Sequence, residues 1–536
     1  MSSYWPDNIP VTNLVGDPLE NFYQLGVKDR EGYKITHQMM LDLAKLNKFA
    51  PFLTKLIKAF PNRSSCFPVF DRYVESYAEG LQICVEDYLL DIMLPEFMSA
   101  FSKWKPDALS LLFGCSSLMA KDPETQEIYH GRILDFPLVG HFDQFERIVT
   151  YDFPGQFKVM SYGTQGMPFP SLTVMNEHGL SIAVHQKYNH HFSFSGQPIA
   201  EIVYYLISNC KNTGEVKHAL KSCNSITMWG LYCCDKTGNV LTADICGKQI
   251  IKEQFSLDDH QFLYFNNMHI KKYKEHAGPV GFEDYCQMRS IRGNDQTKKV
   301  LKSHKKDFEN SILKSMSLVE EKKGADAKDW NLGPSTLSSL QIICFNNSKF
   351  QTSYTPGPAP KQYKGSSIKV SNLFEKPLFE ALNSKTKTNP KFLEGLRRLS
   401  KAQNHFDLGN HEKAYHEIQM GIKLTEDTPW EIIGQFFFVV WQYINCKDNE
   451  EFKFLITELE TLNPLLPEYL QQQNYLFISR IQTILKLPVR LDGNLITHPI
   501  LKKYYQTEKN LKPFILKQMR RFIFPRLEGL DIYYGY

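Results

Sequence analysis

The stretch 113–136 reads FGCSSLMAKDPETQEIYHGRILDF and places a cysteine directly after a glycine at the head of a strand-like run. Cys115 opens CSSLMAK, the polar DPETQ turns the chain, and EIYHGRILDF returns it with Arg132 and Asp135, 17 and 20 residues after the cysteine. The chemistry such a set supports is acyl transfer. A thiol of pKa ~8.5 needs a base, and an α-amine of pKa ~7.7–8.0 is poised near neutral pH. Cutting the Gly114–Cys115 bond would put nucleophile and base on one residue. Gly114 has no Cβ, so it accepts the strained backbone that an internal attack on its carbonyl requires. The bland alternative is a small buried hydrophobe at a strand start.

With its flanks, this stretch resembles the start of the mature catalytic chain in cysteine-type N-terminal-nucleophile (Ntn) hydrolases. That family includes acyl-CoA:6-aminopenicillanate acyltransferase, bile-salt hydrolase, penicillin V acylase and acid ceramidase. The resemblance covers about 70–375 and rests on FGCSS, GRxxD, NEHGL and FNN, with YAEGLQICVEDYLL similar to the helix pair that precedes the nucleophile in the acyltransferase branch. It implies that Gly114–Cys115 is cleaved, often autocatalytically, that Arg132 steadies the thiolate, and that Asp135 holds the new α-ammonium. It further implies amide donors for an oxyanion at Gln186, ten residues after Asn176, and at Asn267, with Asn266 open as a one-residue slip. Arg289, in Cys286-Gln-Met-Arg289, supports the site or forms a salt bridge. Two departures stand out: Gln186 replaces the Asn of several relatives, and Ile133 or Leu134 replaces the Asn found between the Arg and the Asp. Being three apart, Arg132 and Asp135 face opposite sides of a regular strand, so a twist or bulge is expected to bring them together. A surface ion pair between them is the plain alternative.

Other candidates lead nowhere. His130 sits beside Arg132, but a dyad histidine normally lies far from its cysteine in sequence. His185, His190 and His191 have no companions at metal-ligand spacing. No glycine-rich phosphate loop is present. The cluster Lys502, Lys503, Lys509, Lys512, Lys517, Arg520 and Arg521 is spread over helical sequence and reads as a solvated face rather than a membrane-binding one. No cofactor and no metal are expected.

The elements that must position these residues follow from periodicity. At 536 residues the chain exceeds one ordinary core, and 42% hydrophobic with 22% charged residues is a globular composition. A net charge of +4 on this length gives no reason to expect nucleic acid. The N-terminus lacks a secretory pattern, no apolar run reaches the ~18–20 residues of a membrane helix, and eleven cysteines without CxxC spacing predict mostly free thiols in the cytoplasm. Residues 1–114 read as mainly helical, with helices in 36–59 and 70–100. From 115 to about 375 short strands dominate, with helices near 197–209 and 213–222 and another beginning near Glu283. The polar stretch 303–329 reads as a loop or insertion. From about 385 the chain is helical to its end, and its first hairpin, turning at Leu408-Gly409-Asn410, resembles a single tetratricopeptide unit without clear second and third copies at 34-residue spacing.

The expectation is an α+β chain in three parts. These are a helical segment 1–114, a catalytic domain 115–378 and an α-helical domain 379–536 with a packing or docking role. Mixed strands and helices come from the pattern; the four-layer αββα sandwich comes from the resemblance. The expected activity is hydrolysis of a linear amide bearing a hydrophobic acyl group, through an acyl-enzyme on Cys115. Two alternatives stand beside it: an acyl-CoA-dependent N-acyltransferase, and an inactive Ntn domain whose C-terminal helices bind a protein partner.

Overall fold

The computed structural model describes residues 8–43, 50–59, 65–101, 114–136, 138–189, 191–193, 195–271, 282–303, 307–317, 334–361, 367–382, 389–489, 493–519 and 526–527. The chain falls into two compact units, Met1–Gly278 with Cys286–Val319 and Gly333–Thr388, and Pro279–Tyr285 with Glu320–Leu332 and Asn389–Tyr536.

The first unit opens with β1 (Val11–Val15), then α1 (Pro18–Leu43), α2 (Ala50–Ala59), α3 (Phe70–Leu81) and α4 (Val85–Phe101). The helical pattern expected over 70–100 is two helices, because Gln82 takes a left-handed φ of 63° and ends α3. The hairpin that carries Cys115 is β2 (Gly114–Lys121) and β3 (Ile128–Asp135). Next come β4 (Glu146–Asp152), β5 (Val159–Thr164), β6 (Thr173–Asn176), β7 (Ser181–Gln186), α5 (Ile199–Asn209) and α6 (Thr213–Ala219). Gly179 turns β6 into β7 at a φ of 78°, a conformation that needs the missing Cβ. Then follow β8 (Met228–Cys234), β9 (Asn239–Cys246), β10 (Gln249–Ser256), β11 (Phe262–Phe265), α7 (Phe282–Ser303) and α8 (Phe308–Met316). The last strands are β12 (Ser339–Asn346), β13 (Gln351–Tyr354), β14 (Ser367–Ser371) and β15 (Leu378–Leu382).

Among the described residues these strands form two sheets. One is eight-stranded in the order β1-β4-β5-β6-β7-β8-β9-β10, and the other seven-stranded in the order β11-β2-β3-β12-β13-β14-β15. Only the β1–β4 pair is parallel. Alternation along the strands assigns their faces. Met119 and Ile128 pack with Tyr232 and Cys234 of the other sheet, while Leu118, Ala120 and Ile133 pack with Ile312, Leu313 and Met316 of α8. The opposite face of the eight-stranded sheet, through Val184, Trp229 and Leu231, packs under residues of α1, α3, α4 and α5, among them Phe22, Tyr77, Tyr88 and Ile202.

Three sequence expectations change. The stretch 303–329 is not simply a loop: 308–316 is a buried helix, started by Asp307, whose side chain accepts from Asn310 N–H. Its lysines and glutamate hid a short apolar face at Ile312, Leu313 and Met316. The N-terminal segment is not only helical, since β1 joins a sheet. Strand β15 runs past residue 378, and the second unit's helices begin at 390.

The second unit carries α9 (Pro390–Asp407), α10 (His411–Leu424), α11 (Pro429–Asn445), α12 (Asn449–Leu462), α13 (Glu468–Ile484), α14 (Pro499–Glu508) and α15 (Pro513–Gln518). Helices α9, α11 and α13 start 39 residues apart (390, 429, 468), each with a proline at or just before its first turn. The apolar run Phe436–Trp441 lies in α11 and is mostly buried. No described helix is long and apolar enough to cross a membrane, and all eleven cysteines are free thiols.

Helices α1 and α3 cross at backbone contact. A Cβ on Gly80 would fall 2.1 Å from the Tyr23 carbonyl oxygen and 3.0 Å from the Gly26 Cα. Gly80→Ala is expected to force the helices apart and cost about 1–3 kcal/mol. Thermal denaturation checks this: an unshifted midpoint would mean that the crossing yields freely.

Candidate active site

Strand β2 runs between two arginines. Cys115 pairs with Leu134 and Ser117 with Arg132 across the hairpin, so Arg132 shares the face of Cys115. Its Nη2 donates to Cys115 Sγ at 3.1 Å and to the Val184 carbonyl at 2.6 Å. Arg132 is fully buried, and its Nε and Nη1 have no hydrogen-bond partner among the described residues. No carboxylate there forms an ion pair with it, so its side-chain contacts are the Cys115 sulfur and the Val184 carbonyl.

Asp135 pairs with Gly114 and points to the other face. The expected convergence of Arg132 and Asp135 does not occur. The β2–β3 register is regular, and the irregularity opposite Asp135 lies on β12, between Ser339 and Gln341. The opposed faces instead put one charged group on each side of the nucleophile strand. On the Asp135 side stands Arg289 of α7. Its Nη1 donates to Asp135 Oδ2 at 3.1 Å, and its Nη2 to the Cys115 carbonyl at 2.5 Å and to Asn267 Oδ1 at 2.6 Å. Arg289 thus forms the salt bridge and also holds the backbone of Cys115. Ser339 Oγ donates to the other Asp135 oxygen. Burial pushes the Asp135 carboxyl above its usual range, and the Arg289 guanidinium pulls it back only in part. Gly114 lies against this pair: a Cβ there would meet Arg289 Nη1 at 2.5 Å and Asp135 Oδ2 at 2.6 Å.

Asn267, rather than Asn266, reaches the nucleophile. Its Oδ1 accepts from Cys115 N–H at 2.8 Å, and its Nδ2 donates to the Gln186 carbonyl at 3.0 Å. Two donors on one atom and a carbonyl facing the other fix the amide orientation. Asn266 bonds the Cys286 carbonyl at 2.5 Å and closes a turn on Met268 N–H. Gln186 donates through Nε2 to the Pro95 carbonyl at 3.2 Å, while its buried Oε1 has no hydrogen-bond partner among the described residues. One N–H of each side-chain amide is therefore engaged, and each NH₂ carries a second N–H.

Both Cys115 and Gln186 line a cavity of about 120 Å³, walled mostly by apolar side chains such as Ile92, Leu134, Phe136, Phe142 and Trp229. Helices α1 and α4 supply part of that wall. Sequence reasoning missed Ser339, the Val184 and Pro95 carbonyls and Tyr264, which bonds Ser116 at 2.7 Å. Backbone acceptors leave no residue-type signal, and Pro95, a proline inside a helix, was the single visible mark.

His130 and His185 are buried and each bonds a serine hydroxyl. His130 bonds Ser181 Oγ at 2.8 Å, and burial with Arg132 nearby holds it neutral, its pKa lowered to about 3. His185 bonds Ser117 Oγ at 2.9 Å, and burial lowers its pKa too. His190, Arg520 and Arg521 lie outside the described residues. Among the described residues no His, Cys, Asp and Glu cluster could hold a metal ion.

No family model matches the chain, and no curated protein matches it. Among solved structures it superposes on a Caenorhabditis elegans N-acylethanolamine-hydrolyzing acid amidase ortholog, over 44% of this chain and 93% of that one, at 14% identity and a TM-score of 0.33. A variant of conjugated bile acid hydrolase from Clostridium perfringens matches over 52% and 99%, at 14% identity and a TM-score of 0.33. Penicillin V acylase from Agrobacterium tumefaciens matches over 48% and 90%, at 10% identity and a TM-score of 0.32. Likenesses this loose leave the family unassigned.

Two outcomes follow from the site. Arg132→Met removes the charge facing the sulfur, so alkylation of Cys115 by iodoacetamide at neutral pH should slow about tenfold or more. Peptide mapping of the modified cysteine reads this, and an unchanged rate would break the link between guanidinium and thiol. The second concerns acid. His130 titrates near 6.5 when unfolded and near 3 when folded. The stability linked to keeping it neutral is therefore complete above pH 6.5 and is lost as pH falls toward 3, at up to about 1.4 kcal/mol per unit. Denaturation midpoints against pH should fall less steeply over this window in His130→Asn than in the parent; parallel slopes would count against the assignment.

Proposed function

We propose that the chain is an autoprocessed cysteine-nucleophile amidohydrolase acting on a linear amide with a hydrophobic acyl group. The observation that carries the reading is the 3.1 Å contact between Cys115 Sγ and a buried Arg132 that has no carboxylate ion-pair partner among the described residues. In this proposal Cys115 Sγ first attacks the Gly114 carbonyl, the peptide nitrogen leaves as the Cys115 amine, and water cleaves the resulting thioester. The freed α-amine keeps the Asn267 Oδ1 contact and lies beside the Asp135 carboxylate, which balances its charge when protonated.

In turnover the α-amine takes the thiol proton as the sulfur attacks the substrate carbonyl. Second N–H groups of Asn267 and Gln186 meet the developing oxyanion. The α-ammonium then gives its proton to the leaving amine, and water, with the amine as base, releases the acid from the thioester. Arg289 positions Cys115 through its carbonyl and holds Asp135 and Asn267. The two sheets with helices packed on their outer faces are read as a four-layer αββα sandwich, and the α-helical second unit is read as a docking or packing module.

Intact mass and N-terminal sequencing of the purified protein, beside Cys115→Ala, test the reading. The expected result is a fragment beginning at Cys115 that is absent from the variant, together with hydrolysis of N-acyl arylamides by the parent alone. A full-length chain with no amidase activity in either preparation would overturn it.

A further inference from the structure

The cavity reached by Cys115 is lined mostly by apolar side chains, with Gln165, Ser171 and Gln186 among the polar ones and a connected polar cluster on two of its helices. Helix α1 brings Tyr33, Thr36 and His37 to its wall, and α4 brings Tyr88, Asp91 and Pro95. The positions i, i+3, i+4 on one helix and i, i+3, i+7 on the other lie on a single face of each. Asp91 accepts from Tyr33 Oη at 2.5 Å through one oxygen and from His37 Nδ1 at 2.5 Å through the other. With Nδ1 donating, His37 keeps Nε2 without a hydrogen bond among the described residues, and Tyr33 Oη keeps its lone pairs. The three groups bond one another through Asp91, and the His37 side chain is 23% exposed.

Their place relative to the nucleophile follows from α4. The Pro95 carbonyl accepts from Gln186, whose own carbonyl accepts from Asn267, the acceptor of Cys115 N–H. Asp91 lies one helical turn from Pro95, about 6 Å along the axis. The cluster therefore stands along the cavity rather than at the reacting carbonyl, opposite the flank of an acyl chain.

We propose that Tyr33, His37 and Asp91 form a specificity subsite for a hydroxyl borne within the acyl chain of the substrate, several carbons from its carbonyl. The hydroxyl accepts from or donates to His37 Nε2 and meets Tyr33 Oη, while Asp91 holds both side chains in place. This rests on the amidohydrolase reading and extends it from hydrophobic acyl amides to oxygenated ones. A plain chain leaves these polar atoms without a ligand.

The test uses the full-length protein and a set of decanoyl arylamides, plain or carrying one hydroxyl at each mid-chain carbon in turn. The expected result is a preference of about tenfold in kcat/KM for one hydroxyl position over the plain chain, near the value of one hydrogen bond. In His37→Phe, and separately in Asp91→Leu, that ratio should collapse to within about twofold of one. Hydrolysis of the plain chain with no preference at any position would overturn the subsite while leaving the amidase reading intact. If no amide is hydrolysed, the amidase reading fails, and calorimetry decides the subsite. Cys115→Ala should bind one hydroxydecanoic acid about tenfold more tightly than decanoic acid and lose the difference when His37→Phe is added; equal affinities would reject it.

Discussion

A guanidinium buried without a carboxylate ion pair is the constraint on which the site turns. Arg132 is held between the sheets, with the Val184 carbonyl on Nη2 and no acidic ion-pair partner among the described residues. Removing a charge from water is costly unless something balances it. Its Nη2 meets the sulfur of Cys115 and the Val184 carbonyl. The regular register of β2 on β3 makes the arrangement possible by setting Cys115 and Arg132 on one face and Gly114 and Asp135 on the other. Strand β2 thus separates two electrostatic compartments. One holds the sulfur, and the other holds the carboxylate that would face a new chain terminus.

Helix α7 serves the second compartment. Arg289 touches the Cys115 carbonyl, the Asp135 carboxylate and the Asn267 side chain, so one residue from outside the sheet ties together both ends of the nucleophile's peptide environment. Asn267, just past β11, is fixed in turn by the carbonyl of Gln186, the last residue of β7. Strands from both sheets therefore meet at Cys115, and the site depends on their packing rather than on a single loop.

Much of this was legible in the sequence. Short apolar and β-branched runs bounded by turn residues located the strands closely, although most of them are buried on both faces and show little alternation. Cys115, Arg132, Asp135, Gln186, Asn267 and Arg289 could be singled out through a family-like pattern. What could not be read was partner choice. Nothing local distinguishes Asn266 from Asn267, and only the turn that directs Asn266 to Cys286 separates them. Strand geometry read from spacing alone asked for a bulge to unite Arg132 and Asp135, whereas the fold uses their opposition. Helix α8 was hidden because its apolar face is short and its neighbours are charged. Repeats of the second unit were sought at 34 residues; α9, α11 and α13 start 39 apart, marked by Pro390, Pro429 and Pro467, while α10, α12 and α14 start 38 and 50 apart.

Strand β1, the edge that adds in parallel to β4, carries a consequence of its own. The chain before Cys115 supplies this strand, the α1–α3 crossing and part of the apolar core over the eight-stranded sheet. A cut at Gly114–Cys115 would leave two polypeptides sharing one core, held by the burial that formed while they were continuous. Folding would then run in one direction only. The linked precursor pays loop-closure entropy once, whereas the separated pieces would have to meet by collision after unfolding. The working form would be protected by its slow rate of opening rather than by a reversible equilibrium, and a molecule once unfolded would not find its way back.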